Sequence, residues 1–488
     1  MSNFFENIHD DNVYKFFSGG KWIKSHTGNL IEIKSPIDDS LVGKIQAMAK
    51  DEIDGVFSNA LDAQKAWAKI ALDDRAAVLK KAAELLRQNI EEILEIKVLE
   101  IAKNVGSAKS SILRSADIID FTADQMDVVN GQEVLYSKDF PGGGEKKTAH
   151  IIKEPVGVVL AISPFNYPIN LAVTKIAPAL LAGNSVVVKG PTQGSITTAM
   201  LVEIFNKAGA SGAISFVSGK GSEIGDYLVS HKYANMIDFT GSSEVGKDII
   251  KKAGLKPLLL ELGGKDAALV LDDADLDLAA EEIVDGAFSY AGQRCTAIKR
   301  VLAHKDIHDD LIKKIAAKTK EKYSILGDPR DEKTQLNPLI INKQGEYAGE
   351  LIDDALQCGA KVLAGGVINK NYMQATVLDN VTEKMRIAWE EQFAPILPII
   401  TCEDEDEMIR LHNKSEYGLG GSIFSQDVSK AKELAKKLQT GVVQINKKSE
   451  RFPDNFPFLG IKNSGLGVQG IRWSIEAMMR VKNIVENK

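Results

Sequence analysis

Cys295 lies in the stretch "GQRCTAIKR", directly after Arg294, and is one of three cysteines in a chain of 488 residues. A thiol attacks an electrophilic carbon as its thiolate, which requires a neighbouring cation or base. Arg294 supplies a fixed positive charge. Glu261, in "LELGGK" 34 residues earlier, is the candidate base. A carboxylate is costly to bury behind an apolar run such as "PLLL". Taken singly, the same residues also describe a packing thiol and a strand-end glutamate facing water. Phosphate binding has its own candidates. "FTGSSEVGK" sets Gly241 and Gly246 between a strand and a helix, with Ser242 and Ser243 at the turn. Backbone donors at such a helix start can hold a phosphate. "GKGSEIG" (219–225) is a second glycine cluster behind another strand. Neither is the G-x-G-x-x-G fingerprint, and each by itself also reads as a plain strand–helix turn. Lys189 ends the apolar run of "SVVVKG", at the carboxyl edge where open sheets bind ligands. A surface lysine would look the same.

These residues need a scaffold, and the pattern around them supplies one. Residues 51–103 read as helices. In "DDRAAVLKKAAELLRQ", Val78, Leu79, Ala82, Leu85 and Leu86 recur at helical spacing, with Asp74 as a cap. A further helix is expected over 107–128. Short β-branched runs then appear at 156–163, 185–190, 213–219 and 234–242, separated by helical stretches such as 195–208 and 222–230. Strands that are apolar throughout, alternating with helices, predict a parallel, doubly wound α/β sheet. A second alternation is expected from "KPLLLELGG" (256–264) onward through "GVVQIN". The end, "AMMRVKNIVENK", alternates apolar and polar residues and suits a strand that leaves its domain, for instance to pair with a partner subunit.

Composition narrows the function classes. Hydrophobic residues make up 44% and charged residues 26%, with a net charge of -7. An acidic balance argues against a general affinity for nucleic acid. No apolar run reaches the roughly 18 residues of a membrane span. The start, "MSNFFENIHDDNVYKFF", lacks the basic and apolar regions of a signal peptide. Cys295, Cys358 and Cys402 are too few and too far apart for a disulfide framework or a zinc site, so no metal is expected. A reducing, cytoplasmic setting is the expectation.

"LELGGKD" followed by the cysteine of "GQRCT" resembles the signature pair of the aldehyde dehydrogenase superfamily. "SPFNYP" (163–168), "FTGS" (239–242), "EEQFAP" (390–395) and "NKSEYGL" (413–419) match in the same order. The resemblance implies two doubly wound α/β domains and a small β arm for oligomerisation. The dinucleotide-binding domain would take 1–130 and 155–260, the catalytic domain 261–450, and the arm 131–154 and 470–488. It implies that Cys295 attacks an aldehyde, that Asn166 and the Cys295 N–H stabilise the oxyanion, and that Glu261 activates the hydrolytic water. It also implies that Lys189 and Glu391 hold cofactor ribose hydroxyls, that Phe393 packs near the nicotinamide ribose, and that Ser242, with Thr240 and Gly241 beside it, meets the pyrophosphate. A homotetramer is the implied assembly.

Within the superfamily, Arg114, Tyr167, Arg294 and Arg451 look like the phosphate clamp of the non-phosphorylating glyceraldehyde-3-phosphate dehydrogenases. The tail "DNFPFLG" through "SIEAM" is similar to theirs. Guanidinium forks suit phosphate oxygens. The expected reaction is oxidation of glyceraldehyde 3-phosphate to 3-phosphoglycerate; another anionic aldehyde, such as a semialdehyde, is the alternative. NAD-preferring relatives often carry a glutamate where this chain has Thr192, and Lys220 stands where the subfamily often has a basic residue. NADP is the expected cofactor, with NAD left open. Gly190, Ala394 and Lys447 depart from the family pattern, and Lys447 lies near the expected substrate loop.

Overall fold

The computed structural model describes residues 4–131 and 133–487. Met1–Asn3, Gln132 and Lys488, which fall inside the expected domain and arm ranges, lie outside the described residues. Two sheets organise the molecule. The first has eight strands. Its five central strands run parallel in the order Leu258–Glu261, Met236–Thr240, Val158–Ile162, Ser185–Lys189 and Ile214–Val217. Antiparallel strands cover its edges: Gly465–Leu466 on one side, Phe16–Ser18 and then Lys21–Ile23 on the other. The central strands are apolar throughout because both faces are buried. Val186 and Val188 enter one core with Leu79, Ile112 and Ile176, while Val187 enters another with Phe57, Leu228 and Ile237.

Chain order reverses at Val158–Ile162. The helix Asn170–Leu181 carries the chain to one side, and the strand Met236–Thr240 returns on the other. The carboxyl ends flanking such a switch point form the ligand crevice of open α/β sheets. Ser163, Lys189, Ser218, Gly241 and Glu261 stand at or just beyond those ends.

The second sheet has seven strands, six of them parallel, from Thr376–Asp379 through Ile396–Cys402, Arg300–His304, Ala267–Val270, Gly420–Phe424 and Val442–Ile445. It has its own core around Ile283, Val301, Ile315, Leu397 and Ile423. A third sheet pairs Met479–Asn487 with Lys147–Pro155, which pairs with Glu133–Tyr136, all antiparallel.

Several expectations need correction. The strand in "KPLLLELGG" does not open the second unit. It pairs in parallel with Met236–Thr240, Ile237 opposite Leu258 and Thr240 opposite Glu261, so Glu261 ends a strand of the first sheet. The stretch from Gly470 does not begin the arm. The helix Ile471–Ala477 buries Ile471 and Ile475 in the first core, and the arm strand starts at Met479. Asp74 does not cap its helix, which runs Leu72–Gln88 with Ala71 at the cap position. The helix expected over 107–128 is two, Val105–Ala123 and Met126–Asn130.

Candidate active site

Cys295 follows a tight turn. The helix Leu276–Phe288 ends, and Tyr290 and Ala291 adopt left-handed φ values of 54° and 51°. Non-glycine residues adopt that conformation where surrounding contacts impose it. The turn leaves Cys295 half-buried, with its Sγ 3.6 Å from Glu261 Oε1. Desolvation, then the negative charge of Glu261, raises the thiol well above the usual cysteine range. A resting thiol is therefore expected, beside an acceptor for its proton.

Glu261 is 1% exposed. Its two oxygens divide the work. Oε1 faces the thiol, while Oε2 accepts from Arg451 Nη1 at 2.6 Å and from Thr240 Oγ1 at 3.4 Å. The Arg451 guanidinium lies over the Phe458 ring, 5.0 Å from its centroid. Arg114, on the helix Val105–Ala123, donates to the Arg451 carbonyl and to both oxygens of Asp454, at 2.6 and 2.9 Å. An unbroken line of contacts thus runs from Arg114 through Arg451 and Glu261 to Cys295.

Asn166 is buried after the first-sheet strand Val158–Ile162. Its Nδ2 donates to the Gln293 carbonyl at 2.9 Å, which ties it to the cysteine loop. One N–H of that amide remains uncommitted. Tyr167 follows, with no hydrogen bond from its hydroxyl to any described residue. Burial raises that phenol, while Arg294 and Arg114 oppose the shift. Arg294 is buried. It donates from Nη2 to the Gly286 carbonyl at 2.5 Å, while its Nε has no partner among the described residues. The structure therefore brings the predicted catalytic trio and Arg114, Tyr167, Arg294 and Arg451 into one region.

The predicted cofactor residues lie along the crevice of the first sheet. Lys189 is buried at its strand end, and its ammonium makes no hydrogen bond or ion pair with another described residue. Desolvation lowers its ammonium to about 8. Thr192 is half-buried in the loop that follows. Lys220 stands at the N-cap position of the helix Gly221–Ser230, is exposed, and pairs with Glu223 at 3.1 Å. Thr240 Oγ1 accepts from Lys175 Nζ at 2.8 Å. Gly241 follows, and Ser242 caps the helix Ser243–Ala253 by accepting from the Val245 N–H at 3.3 Å.

Glu391 and Phe393 approach from the second unit. Glu391 accepts from the Gly264 N–H at 3.0 Å and from Lys299 at 3.2 Å. A Cβ at Gly263 would meet Glu391 Oε2 at 2.3 Å, so glycine there leaves room for the carboxylate in this position. Phe393, at φ 41°, sets its ring edge-on to Phe165 at 6.0 Å. Gly190 has a similar reason, since a Cβ there would press Thr198 at 2.9 Å. Lys447 is spent on Glu282 at 2.8 Å. Among the described residues no cluster of His, Cys, Asp or Glu could hold a metal.

Sequence reading missed Asp454, which orients Arg114, and Lys299, which bridges Glu391 and the Cys295 carbonyl. Asp454 had a signal, since it lies three residues from Arg451 in "RFPD". Lys299 had none beyond its place after the cysteine.

The model of the aldehyde dehydrogenase family matches residues 22–484. An NADP-dependent glyceraldehyde-3-phosphate dehydrogenase from Streptococcus equinus is 46% identical over 473 residues, covering 97% of this chain and 98% of that protein. One of the same description from Pisum sativum is 44% identical, covering 98% and 96%. The crystal structure of the NADP-dependent glyceraldehyde-3-phosphate dehydrogenase from Bacillus halodurans C-125 complexed with NADP superposes with a TM-score of 0.94 at 47% identity, covering 97% of this chain and 99% of that one. With a signature cysteine, glutamate and asparagine converging in this fold, the chain belongs to the aldehyde dehydrogenase family.

Proposed function

We propose that the protein oxidises glyceraldehyde 3-phosphate to 3-phosphoglycerate with NADP, through a thioester on Cys295 that water hydrolyses. The observation that carries this reading is the contact line Arg114–Arg451–Glu261–Cys295, which sets phosphate-binding cations beside a nucleophile and its base. A neutral aldehyde would leave buried Arg294, which has only a backbone carbonyl as partner, without a counter-charge to meet.

Substrate entry gives the thiol proton a route to Glu261 Oε1, the oxygen that faces Sγ. The sulfur then bonds to C1, and the carbonyl oxygen becomes an oxyanion. The uncommitted N–H of Asn166 and the Cys295 N–H donate to it. An aldehyde carbon has no leaving group, so hydride must depart for the carbonyl to re-form as a thioester. NADP, when bound, supplies the acceptor for that hydride. Glu261 releases the thiol proton to solvent and, again a carboxylate, takes a proton from water; the hydroxide adds to C1, and the thiolate of Cys295 leaves and recovers a proton from Glu261. Phosphate on the substrate competes for Arg451, which in the empty pocket is engaged by Glu261. Binding the correct substrate thereby frees the base.

The crevice fits the cofactor. Lys189 is a buried cation without an anion among the described residues, and the position three residues beyond it is Thr192, which leaves room and charge for a 2′-phosphate. Glu391 and Phe393 reach the same region from the opposite unit. Replacing Thr192 with Glu should shift the kcat/KM ratio from NADP toward NAD by roughly tenfold or more; an unchanged ratio in side-by-side kinetics removes Thr192 from cofactor choice. Lys189 gives a pH prediction. Its ammonium is charged below about 8 and neutral above it in the empty protein. An anionic ligand favours the charged form, so the NADP Kd should rise as pH climbs from 7 through 9. Calorimetric titration checks this, and Lys189→Met should flatten the dependence.

The test of the main reading is NADPH formation from glyceraldehyde 3-phosphate without inorganic phosphate. Steady turnover is expected; dependence on added phosphate would mean acyl transfer to phosphate in place of hydrolysis. Succinic semialdehyde in the same assay should react far more slowly. The domain roles follow from the same site, with the first sheet binding the cofactor and the second unit carrying the nucleophile. A homotetramer joined through the arm is supported by exposed Val134, Leu135, Val481, Ile484 and Val485 on its sheet. A cytoplasmic setting is supported by three cysteines that are all unpaired. Among the described residues no helix is long and apolar enough to cross a membrane.

A further inference from the structure

Four buried lysines of this molecule have polar side-chain partners, and Lys265 donates to Gln392 Oε1 at 2.6 Å. Lys175 meets Asp238 at 2.6 Å, Lys299 meets Glu391 at 3.2 Å, and Lys97 donates to Ser111 Oγ at 2.5 Å. Lys103 does not. It is 1% exposed, and its Nζ has a single hydrogen bond, to the Asn166 carbonyl at 3.5 Å. Its other neighbours are two aromatic faces, with Nζ 3.5 Å from the Tyr167 ring centroid and 4.6 Å from that of Tyr290. Desolvation, then the charges of Lys97, Arg294 and Arg114, all of them cations, pushes its ammonium well below the usual lysine range. An ammonium has three donors and is expensive to bury without an anion. Its placement also takes a local distortion, since Ala102 turns the end of the helix Ile90–Ile101 at φ 49°.

The three contacts belong to two segments of the site, the consecutive pair Asn166 and Tyr167 and the distant Tyr290. Asn166 carries the amide aimed at the oxyanion. Tyr167 belongs to the phosphate pocket. Tyr290 stands in the left-handed turn that leads into Cys295, and its hydroxyl donates to the Ile101 carbonyl at 2.9 Å, beside Lys103. The rings of Tyr167 and Tyr290 meet edge to face at 6.5 Å, with the ammonium against both. A cation between two ring faces fixes their geometry in a way that a methylene chain of the same length does not.

We propose that Lys103 is a positioning residue for this reaction: its ammonium holds the Asn166 carbonyl, the Tyr167 ring and the Tyr290 turn as one unit, so that oxyanion donor, phosphate pocket and nucleophile stay in mutual register. The proposal rests on the functional reading above. It adds a role for the site's uncompensated charge. The substrate's phosphate supplies the anion that the empty pocket lacks, which tightens the unit when the correct aldehyde binds.

The test uses the full-length protein and its variants Lys103→Met and Lys103→Gln, assayed with glyceraldehyde 3-phosphate and with unphosphorylated glyceraldehyde. Met keeps the unbranched apolar stem as far as Cε and lacks only the Nζ, so a packing role predicts constants near wild type. The positioning role predicts that kcat falls about 30-fold with either aldehyde, the loss expected of a desolvated cation–π contact. It also predicts that KM rises for the phosphorylated aldehyde and stays level for glyceraldehyde, while the NADP Kd is unchanged. In Lys103→Ala, propylammonium should restore activity several-fold where propanol at equal concentration does not. Constants within about twofold of wild type for Lys103→Met overturn the proposal, as does equal rescue by propanol. Where Lys103→Met does not fold, Lys103→Gln decides, because it keeps a donor for the Asn166 carbonyl without charge; near wild-type constants there also overturn it. A wild type that makes no NADPH from glyceraldehyde 3-phosphate removes the functional reading, whereas an active wild type with an indifferent Lys103→Met removes the Lys103 role and nothing else.

Discussion

Replacing Cys295 with alanine should lower NADPH formation by roughly 10⁵-fold, because no second nucleophile stands where the aldehyde carbon must bond. The NADP Kd should not change, which separates lost chemistry from lost fold. Glu261→Gln should give a different failure. The carboxylate's charge helps to hold the thiol protonated. Removing it makes the thiolate more accessible, so the thiol proton can leave to water in place of Glu261 and the first half of the reaction continues. Water then has no base, and turnover should fall by roughly 10³-fold. Rapid mixing should show a stoichiometric burst of NADPH followed by a near-flat line, with the thioester visible in the intact mass of the protein. A variant with no burst, or with normal steady turnover, would remove Glu261 from the hydrolytic step.

Arg451→Met should cost a comparable loss, roughly 10³-fold in kcat/KM with glyceraldehyde 3-phosphate. Two effects combine. The phosphate loses a guanidinium fork, and Glu261 loses the cation that now pairs with it at 2.6 Å in a buried site. Breaking one side of such a pair leaves an uncompensated charge, which is costlier than never having built the pair. Unphosphorylated glyceraldehyde separates the two effects, because it reports the loss at Glu261 without the phosphate contact. Arg451→Lys keeps charge but not the bidentate geometry and should fall by roughly tenfold. Equal losses for both aldehydes in Arg451→Met would show that this arginine serves the base and not the phosphate.

Legibility followed the range of the interactions. The helices within 51–103 announce themselves because Leu79, Ala82 and Leu86 recur on one face and are fully buried. The central strands are legible as uninterrupted apolar runs because two cores claim alternate residues of each. The N-terminal sheet, built from His9–Asp10, Val13–Tyr14, Leu30–Lys34 and Leu41–Gln46, offers strands of two to six residues, too short for a period to show. The helix Glu405–Lys414 was also illegible, since "EDEMIRLHNK" buries only Met408, Leu411 and His412 in a run of charge.

The sequence by itself determined the reacting groups. Cys295, Glu261 and Asn166 sit in short strings whose residue types the chemistry requires, and local turns present them. Tertiary structure decided how those groups are charged and held. Glu261 belongs to the first sheet because its strand pairs with Met236–Thr240, a register no local pattern specifies. Arg114 meets Asp454 across 340 residues of chain, and Lys103 meets Tyr290 only because two distant turns both bend into left-handed conformations. Desolvation and ion pairing depend on what the whole chain folds around a group, so the raised thiol of Cys295, the cation on Glu261 and the unmatched ammonium of Lys103 exist only in the assembled core.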